Sequence, residues 1–362
     1  MPSLPYITIS VLWIALIIYA VFGGADYGAG IWDLLTFGPK SEHVHELIDS
    51  ALGPVWETNH IWLVFLVVGL FSGFPGAFPT IVAVLFFPLT LALLGSVLRG
   101  SAFIFRTHGL RRGYQRIWNR VFSFSSILTP FFLGTAAAAV ASGHIQDTGP
   151  KSAANLGSLW LSPFALLIGV LSLALCATVA AIFLTVEATN NKEADLAAMF
   201  RTRGLIAGAV TAVLGAGGLA LAATQAPTLW SGMINHAIPL VIATMVIGLI
   251  AAASLFFGYY RLARAFIIAE AAFMLGSWGV SQIPYIIPPH VTVDAAASSP
   301  STMLLLLIGI TIGMIIIVPS ILLLFYIFKY QGGMPLLAKG PTSDSPKQVE
   351  AGARTSAGAS KG

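Results

Sequence analysis

Seven ionisable side chains fall inside or at the ends of apolar segments of this sequence: Asp26, Asp33, Glu57, His60, Arg99, Glu187 and Glu270. Ionisable groups at such positions are costly, and as a rule they face a protein interior or a water-filled path. A carboxylate and an imidazole three residues apart on a helix, as Glu57 and His60 are, share one face and can hand a proton between them. Asp26 lies in Gly23-Gly24-Ala25-Asp26-Tyr27-Gly28-Ala29-Gly30, where small residues let another helix approach and set the carboxylate against a neighbour. Asp33 follows seven residues later on the same helical face, and reads as an interfacial acid. Arg99 ends an apolar run; it either snorkels to the interface or pairs with Glu57 or Asp26. Glu270 lies within a later run with no local partner, and Glu187 reads as an interfacial acid at the end of another.

The elements that must position these groups are membrane-spanning helices. The chain has 362 residues, 57% hydrophobic and 9% charged. Soluble domains carry about 25% charged residues, so lipid is the natural solvent for most of this one. A span needs about 20 apolar residues. Nine such runs are present: 6–34, 54–74, 78–100, 118–142, 161–186, 203–224, 235–258, 262–286 and 302–328. Ser72-Gly73-Phe74-Pro75-Gly76 separates the second from the third. Pro54 suits the first turn of the second helix, which places Glu57 near its start. Before Lys40 there is no Lys or Arg, so the first run reads as an uncleaved span rather than a signal peptide.

Arg99, Arg106, Arg111, Arg112, Arg116 and Arg120 cluster after the third run, Lys192, Arg201 and Arg203 after the fifth, and Arg261 and Arg264 after the seventh. The positive-inside rule puts these connections in the cytoplasm, the N-terminus outside and the C-terminus inside, as an odd number of spans requires. The expected fold is an all-α polytopic membrane protein: a first four-helix set over 1–142, a second over 143–290, a ninth helix within 291–330, and a disordered cytoplasmic tail over 331–362.

Other chemistries find little support. The lone Cys176 makes no intrachain disulfide. Among the histidines (His43, His45, His60, His108, His144, His236 and His290) only His60 sits clearly inside a span, so no mid-depth pair offers axial haem ligands. No haem-attachment, P-loop or dinucleotide motif occurs, and no basic stripe suited to nucleic acid.

The strings Gly-Ala-Asp-Tyr-Gly-Ala-Gly at 24–30, Gly-Pro-Val-Trp-Glu-Thr-Asn-His-Ile-Trp at 53–62, Phe78-Pro79, Leu-Arg-Gly-Ser-Ala-Phe at 98–103 and Leu-Ser-Pro-Phe at 161–164 resemble subunit II of the cytochrome bd-type quinol oxidases. The resemblance implies two four-helix bundles plus one peripheral helix. It implies a heterodimer with subunit I, which carries the quinol site and the ligands of two haems b and one haem d in the bacterial inner membrane. Such a complex reduces oxygen to water with cytoplasmic protons and builds a membrane potential without pumping. The family's proton-path acid falls on Glu57, within Trp56-Glu57-Thr58-Asn59; Trp56, Asn59 and Arg99 would support it, with Asp26, His60 and, more remotely, Glu270 as further carriers. Some members have a second acid where this chain has Gly23. A small accessory subunit, and a quinone or lipid on this subunit, stay open. The alternative from another class is a proton-coupled secondary transporter, which also uses intramembrane acids and glycine breaks.

Overall fold

A computed structural model describes residues 3–36, 41–108, 112–145 and 159–330; the side chains at 50, 52–57, 106–108, 112–116, 325 and 328–330 lie outside the description. The expected tail at 331–362 lies outside it too.

The long elements are helices: α1 (Leu4–Leu34), α2 (Ser41–Gly73), the short α3 (Phe78–Val84), α4 (Phe86–His108), α5 (Arg112–Ala141), α6 (Pro163–Asn190) and α7 (Ala194–Gln225). Then come α8 (Pro227–Gly232), a π-helical turn at Met233–Ala237, α9 (Ile238–Phe256), α10 (Tyr260–Gln282), α11 (Val293–Ala296) and α12 (Pro300–Tyr330). Between α10 and α11 a two-stranded antiparallel hairpin pairs β1 (Tyr285–Ile287) with β2 (Val291–Thr292). Among the described residues, eight helical stretches are long and apolar enough to cross a membrane, and Thr58–Gly73, the part of α2 that follows the undescribed side chains at 52–57, is a further apolar stretch. An apolar helix that faces lipid needs no core face, and α9 illustrates this: the span Pro227–Phe256 has only 11% of its most apolar window buried, with Val246, Leu249 and Ile250 exposed.

One expected boundary is corrected. The second helix begins at Ser41, so Pro54 lies well inside it rather than at its first turn. The added segment is amphipathic: Val44, Leu47 and Ile48 are buried, while Glu42, His43 and Glu46 are exposed. That apolar stripe makes the segment helical without making it a span. Glu57 therefore sits in the middle of a helix, and the view that it merely starts one no longer holds.

The chain divides into two units, Met1–Ile315 and Ile316–Gly362. In the second, α12 continues to Tyr330. In the first, α1 is the central element, packing on α2, α5, α6 and α10. Its residues from Gly23 to Asp33 are all buried, because small side chains open several of its faces to neighbours. Gly23 lies against Asn59 of α2, Gly24 against Val179 of α6, and Gly30 against Ser126 of α5. The tightest approach is at Gly28, where a Cβ would stand 1.9 Å from the carbonyl oxygen of Cys176 and 2.7 Å from the Cβ of Ala180. At the other end of α1 an apolar cluster joins Leu12, Phe74, Ala77, Ile145, Ile287, Val293 and Met303, tying the hairpin to the helix ends. The start of α6 is capped by Ser162, whose Oγ accepts from Ala165 N at 3.1 Å, and is tied to the end of α7 by Phe164 N donating to Gln225 Oε1 at 3.1 Å.

Gly28→Ala is expected to force α1 and α6 apart, since the obstruction is backbone. Overpacking of this kind costs about 1–3 kcal/mol. Gly215→Ala on α7, with nothing within 4 Å of its Cβ, should be neutral or stabilising. Thermal unfolding of the two variants in detergent distinguishes them; equal melting would refute the close crossing.

Candidate functional site

At the buried end of α1, Asp26 meets Arg99 of α4. Arg99 Nε donates to Asp26 Oδ2 at 3.0 Å and Nη2 to Oδ1 at 2.5 Å, a two-pronged contact. Nη2 also reaches the Asp26 carbonyl oxygen at 2.7 Å, and Nη1 donates to Ser126 Oγ on α5 at 2.5 Å. The guanidinium also lies over two aromatic rings, with its Cζ 4.3 Å from the centroid of Phe122 and 5.1 Å from that of Tyr27. The side chains of Arg99 and Asp26 are 3% and 1% exposed. Of the two readings of Arg99, the structure supports pairing with Asp26; a snorkelling arginine would hold its head in water. Two opposite charges held by this many hydrogen bonds are tolerable in an apolar interior, where either alone would not be.

Helical spacing brings a second set of groups alongside. Ser96 precedes Arg99 by one turn of α4 and so shares its face. Its Oγ lies 3.0 Å from His60 Nε2 and accepts from Tyr27 Oη at 3.5 Å. Thr58 and Asn59 are buried beside His60 on α2. Asn59 and His60 both lie within electrostatic reach of Asp26. Asp26, His60, Asn59 and Arg99 are thus brought together from three helices. The side chains of Glu57 and Trp56 lie outside the described residues; their backbone runs one turn before His60.

Asp33, read from the sequence as an interfacial acid, has two partners on neighbouring helices. It is 5% exposed overall, within 3.1 Å of His45 Nε2 on α2, and it accepts from Ser123 Oγ of α5 at 3.2 Å. The sequence reading missed His45, Ser96, Ser123 and Ser126. Ser123 and Ser126 did carry a signal, two hydroxyls one turn apart in a membrane helix, but only the fold shows that they face α1. Glu270 is not part of this cluster. It sits on α10 against α9, where a Cβ on Gly248 would come 2.8 Å from its Oε1. Glu187 is half-buried near the end of α6.

Beside His60 the side chains of Arg99, Phe103 and Phe122 and Gly100 close together, and His60 Nε2 is engaged with Ser96. Among the described residues no group of three or more His, Cys, Asp or Glu could hold a metal ion.

A multi-pass helical membrane protein with a buried ion pair and a hydroxyl–imidazole cluster at one end of its central helix is the class defined so far. Comparison with known proteins makes it specific. The family model described as cytochrome bd terminal oxidase subunit II matches residues 4–328. The chain is 26% identical to the putative cytochrome bd menaquinol oxidase subunit II of Bacillus subtilis, over 89% of this chain and 94% of that one. It is 24% identical to the cytochrome bd-I ubiquinol oxidase subunit 2 of Escherichia coli over 47% and 45%. In fold it is similar to a chain of the bd oxidase of Geobacillus thermodenitrificans, with TM-score 0.73, 22% identity and coverage of 90% and 99%. The chain belongs to the cytochrome bd terminal oxidase subunit II family, and is a multi-pass bacterial membrane subunit of a respiratory terminal oxidase.

Breaking the buried pair from one side leaves an uncompensated charge, at a cost of about 3–5 kcal/mol. Arg99→Ala and Asp26→Ala are each expected to destabilise by that order, and the double variant by less than their sum. Arg99→Lys should rescue little, because lysine cannot make the fork. Melting temperatures of the four proteins test this; strict additivity would contradict it.

Proposed function

We propose that this subunit carries protons from the cytoplasmic side toward a haem-bearing subunit I that oxidises quinol and reduces oxygen to water. The observation that carries the reading is the convergence of Asp26, Arg99, Ser96 and His60 in one buried cluster at one end of the helices. In the orientation given by the basic loops, with nine spans, the N-terminus outside and the C-terminus inside, that end is cytoplasmic. The same reading divides the chain into two four-helix bundles, 1–142 and 143–290, with a peripheral helix in 291–330.

Asp26 and Arg99 cancel one another, so the cluster carries no fixed net charge that would repel an entering proton. Glu57, one turn before His60 along α2, is in this reading the residue that takes up a proton and passes it to the imidazole. Ser96 and Tyr27 extend the hydrogen-bonded path beyond His60. A hydroxyl both donates and accepts, which lets it relay a proton without carrying charge. In this reading the haems b and d are ligated by subunit I, the membrane potential arises without pumping, and the reductant is a quinol, as the names of the relatives have it. Protons taken up here are consumed in water formation.

In the assembled oxidase, Glu57→Ala is expected to slow oxygen reduction by about 100-fold, the lower end of what a positioned proton carrier contributes. Glu57→Asp should retain most of the rate. Turnover with quinol, measured beside the haem absorption spectrum, is the check: an intact spectrum with undiminished turnover would remove Glu57 from the path.

A further inference from the structure

A second titratable pair lies at the same end of the helices, one heptad below Asp26 on the same face of α1. Asp33 is buried, with 2% of its side chain exposed, while the His45 side chain is 26% exposed and so opens to solvent. We propose that His45 and Asp33, bridged to Ser123, form a proton-collecting pair that feeds the polar seam ending at Asp26 and Arg99. The proposal rests on the orientation and proton-supplying role given above.

The geometry specifies where protons sit. His45 Nδ1 faces the backbone carbonyl oxygen of Ser41, which can only accept, so Nδ1 carries a hydrogen. Nε2 is thereby the nitrogen left to exchange a proton, and it points at Asp33 Oδ1, 3.1 Å away. The pair shares one proton between imidazole and carboxylate. A proton arriving from water at His45 Nε2 and transferred to Asp33 Oδ1 leaves neutral imidazole and carboxylic acid, with charge conserved.

The far side of Asp33 is suited to both states. Ser123 Oγ has one hydrogen but two acceptors in reach, Asp33 Oδ2 at 3.2 Å and the Asn119 carbonyl oxygen at 3.0 Å. When Asp33 is ionised the hydroxyl donates to it. When Asp33 has taken a proton from His45 and the neutral carboxyl group rotates to bring its O–H to the Ser123 side, the acid donates to Ser123 and the hydroxyl turns to Asn119. Either state leaves the bridge bonded, which is what a carrier that alternates between them needs.

The seam continues upward by register. Asp26, Gly30 and Asp33 lie on one face of α1, opposite Ser126 and Ser123 on α5, which runs antiparallel. A Cβ at Gly30 would stand 2.1 Å from Ser126 Oγ and 3.2 Å from Arg99 Nη1, so polar groups reach the α1 backbone there. Seven residues is about 10.5 Å of helix, two turns between the carboxylates. The other charged groups on the elements packed here are Asp49, one turn beyond His45 on α2, Arg99 of α4, bound to Asp26 two turns away, and Arg203 of α7, which donates to Thr36 Oγ1 at 2.8 Å and lies over Trp32.

The test uses the assembled oxidase. His45→Gln retains an amide donor toward Asp33 but cannot relay a proton; Asp33→Asn retains shape and Ser123 as a partner. Both are expected to lose several-fold in oxygen-reduction rate at alkaline pH, where protons are scarce, and to approach the parent rate as pH falls. Added imidazole should restore His45→Ala and leave Asp33→Asn unchanged. Parent rates for His45→Gln and Asp33→Asn at every pH, with full haem absorption, would overturn the proposal. So would a deficit independent of pH that imidazole does not relieve. If Asp33→Asn fails to assemble, His45→Gln decides alone. Glu57→Ala run in parallel separates the two ideas: slow Glu57→Ala with unaffected His45→Gln sinks this pair and spares the role of Glu57, and the reverse pattern spares the pair.

Discussion

The forked contact between Arg99 and Asp26 constrains the rest of the first unit. A guanidinium with five N–H donors has been carried into an apolar interior, and four of the contacts that make this tolerable come from other helices. α1 supplies the carboxylate and a backbone carbonyl, α5 a hydroxyl, and Tyr27 and Phe122 the rings it lies over. None of these positions can move by a residue without leaving a donor unmet. Buried ion pairs are weak evidence for stability, since apolar replacements often match them. What this one specifies is register: it fixes α4 against α1 and α5 where apolar packing alone would allow sliding.

That fixed register depends on how thin α1 is. In lipid there is no hydrophobic drive between helices, so close van der Waals contact and interhelical hydrogen bonds hold them together. Glycine in a helix costs about 1 kcal/mol relative to alanine, yet Gly28 and Gly30 are needed because a Cβ at either would overlap a neighbour. At Gly28 the neighbour is the backbone of α6; at Gly30 it is the hydroxyl that holds Arg99. The first contact joins helices, and the second admits polar chemistry to the helix backbone. Both follow from the same small-residue run, so the site and the packing share one cause.

Composition and periodicity were enough to read the class of fold, because apolar length and loop charge are local properties. The cluster was legible in part. Asp26, His60, Asn59 and Arg99 announce themselves as polar residues in apolar surroundings, and the structure brings them together. Asp33 reads as an interfacial acid because it lies near a helix end; its contact with His45 comes from the extra turns of α2, which begin at Ser41 and which the sequence did not announce. The sequence hides that extension because Pro54 resembles a helix start. Ser96, Ser123 and Ser126 are ordinary in a membrane helix, where serine commonly bonds its own backbone. Ser126 does that too, donating to Phe122 O at 2.6 Å, while receiving Arg99. Only the facing helix reveals the second role.

The contrast between Glu270 and the α1 acids shows why surroundings, and not residue type, decide function here. Glu270 meets the Cα of Gly248 on a neighbouring helix that otherwise faces lipid, and among the described residues no hydrogen-bond donor is placed around it. Asp26 is held in its ionised form by the donors of Arg99, whereas Asp33 meets Ser123, whose hydroxyl can donate to the ionised form and accept from the protonated one. A carboxylate becomes a carrier when both of its states are accommodated by the same frame, since any state left without partners raises a barrier to passing through it. By that criterion the proton seam we propose runs between α1, α2, α4 and α5, while the packing of α6 and α10 on α1 holds that helix in register.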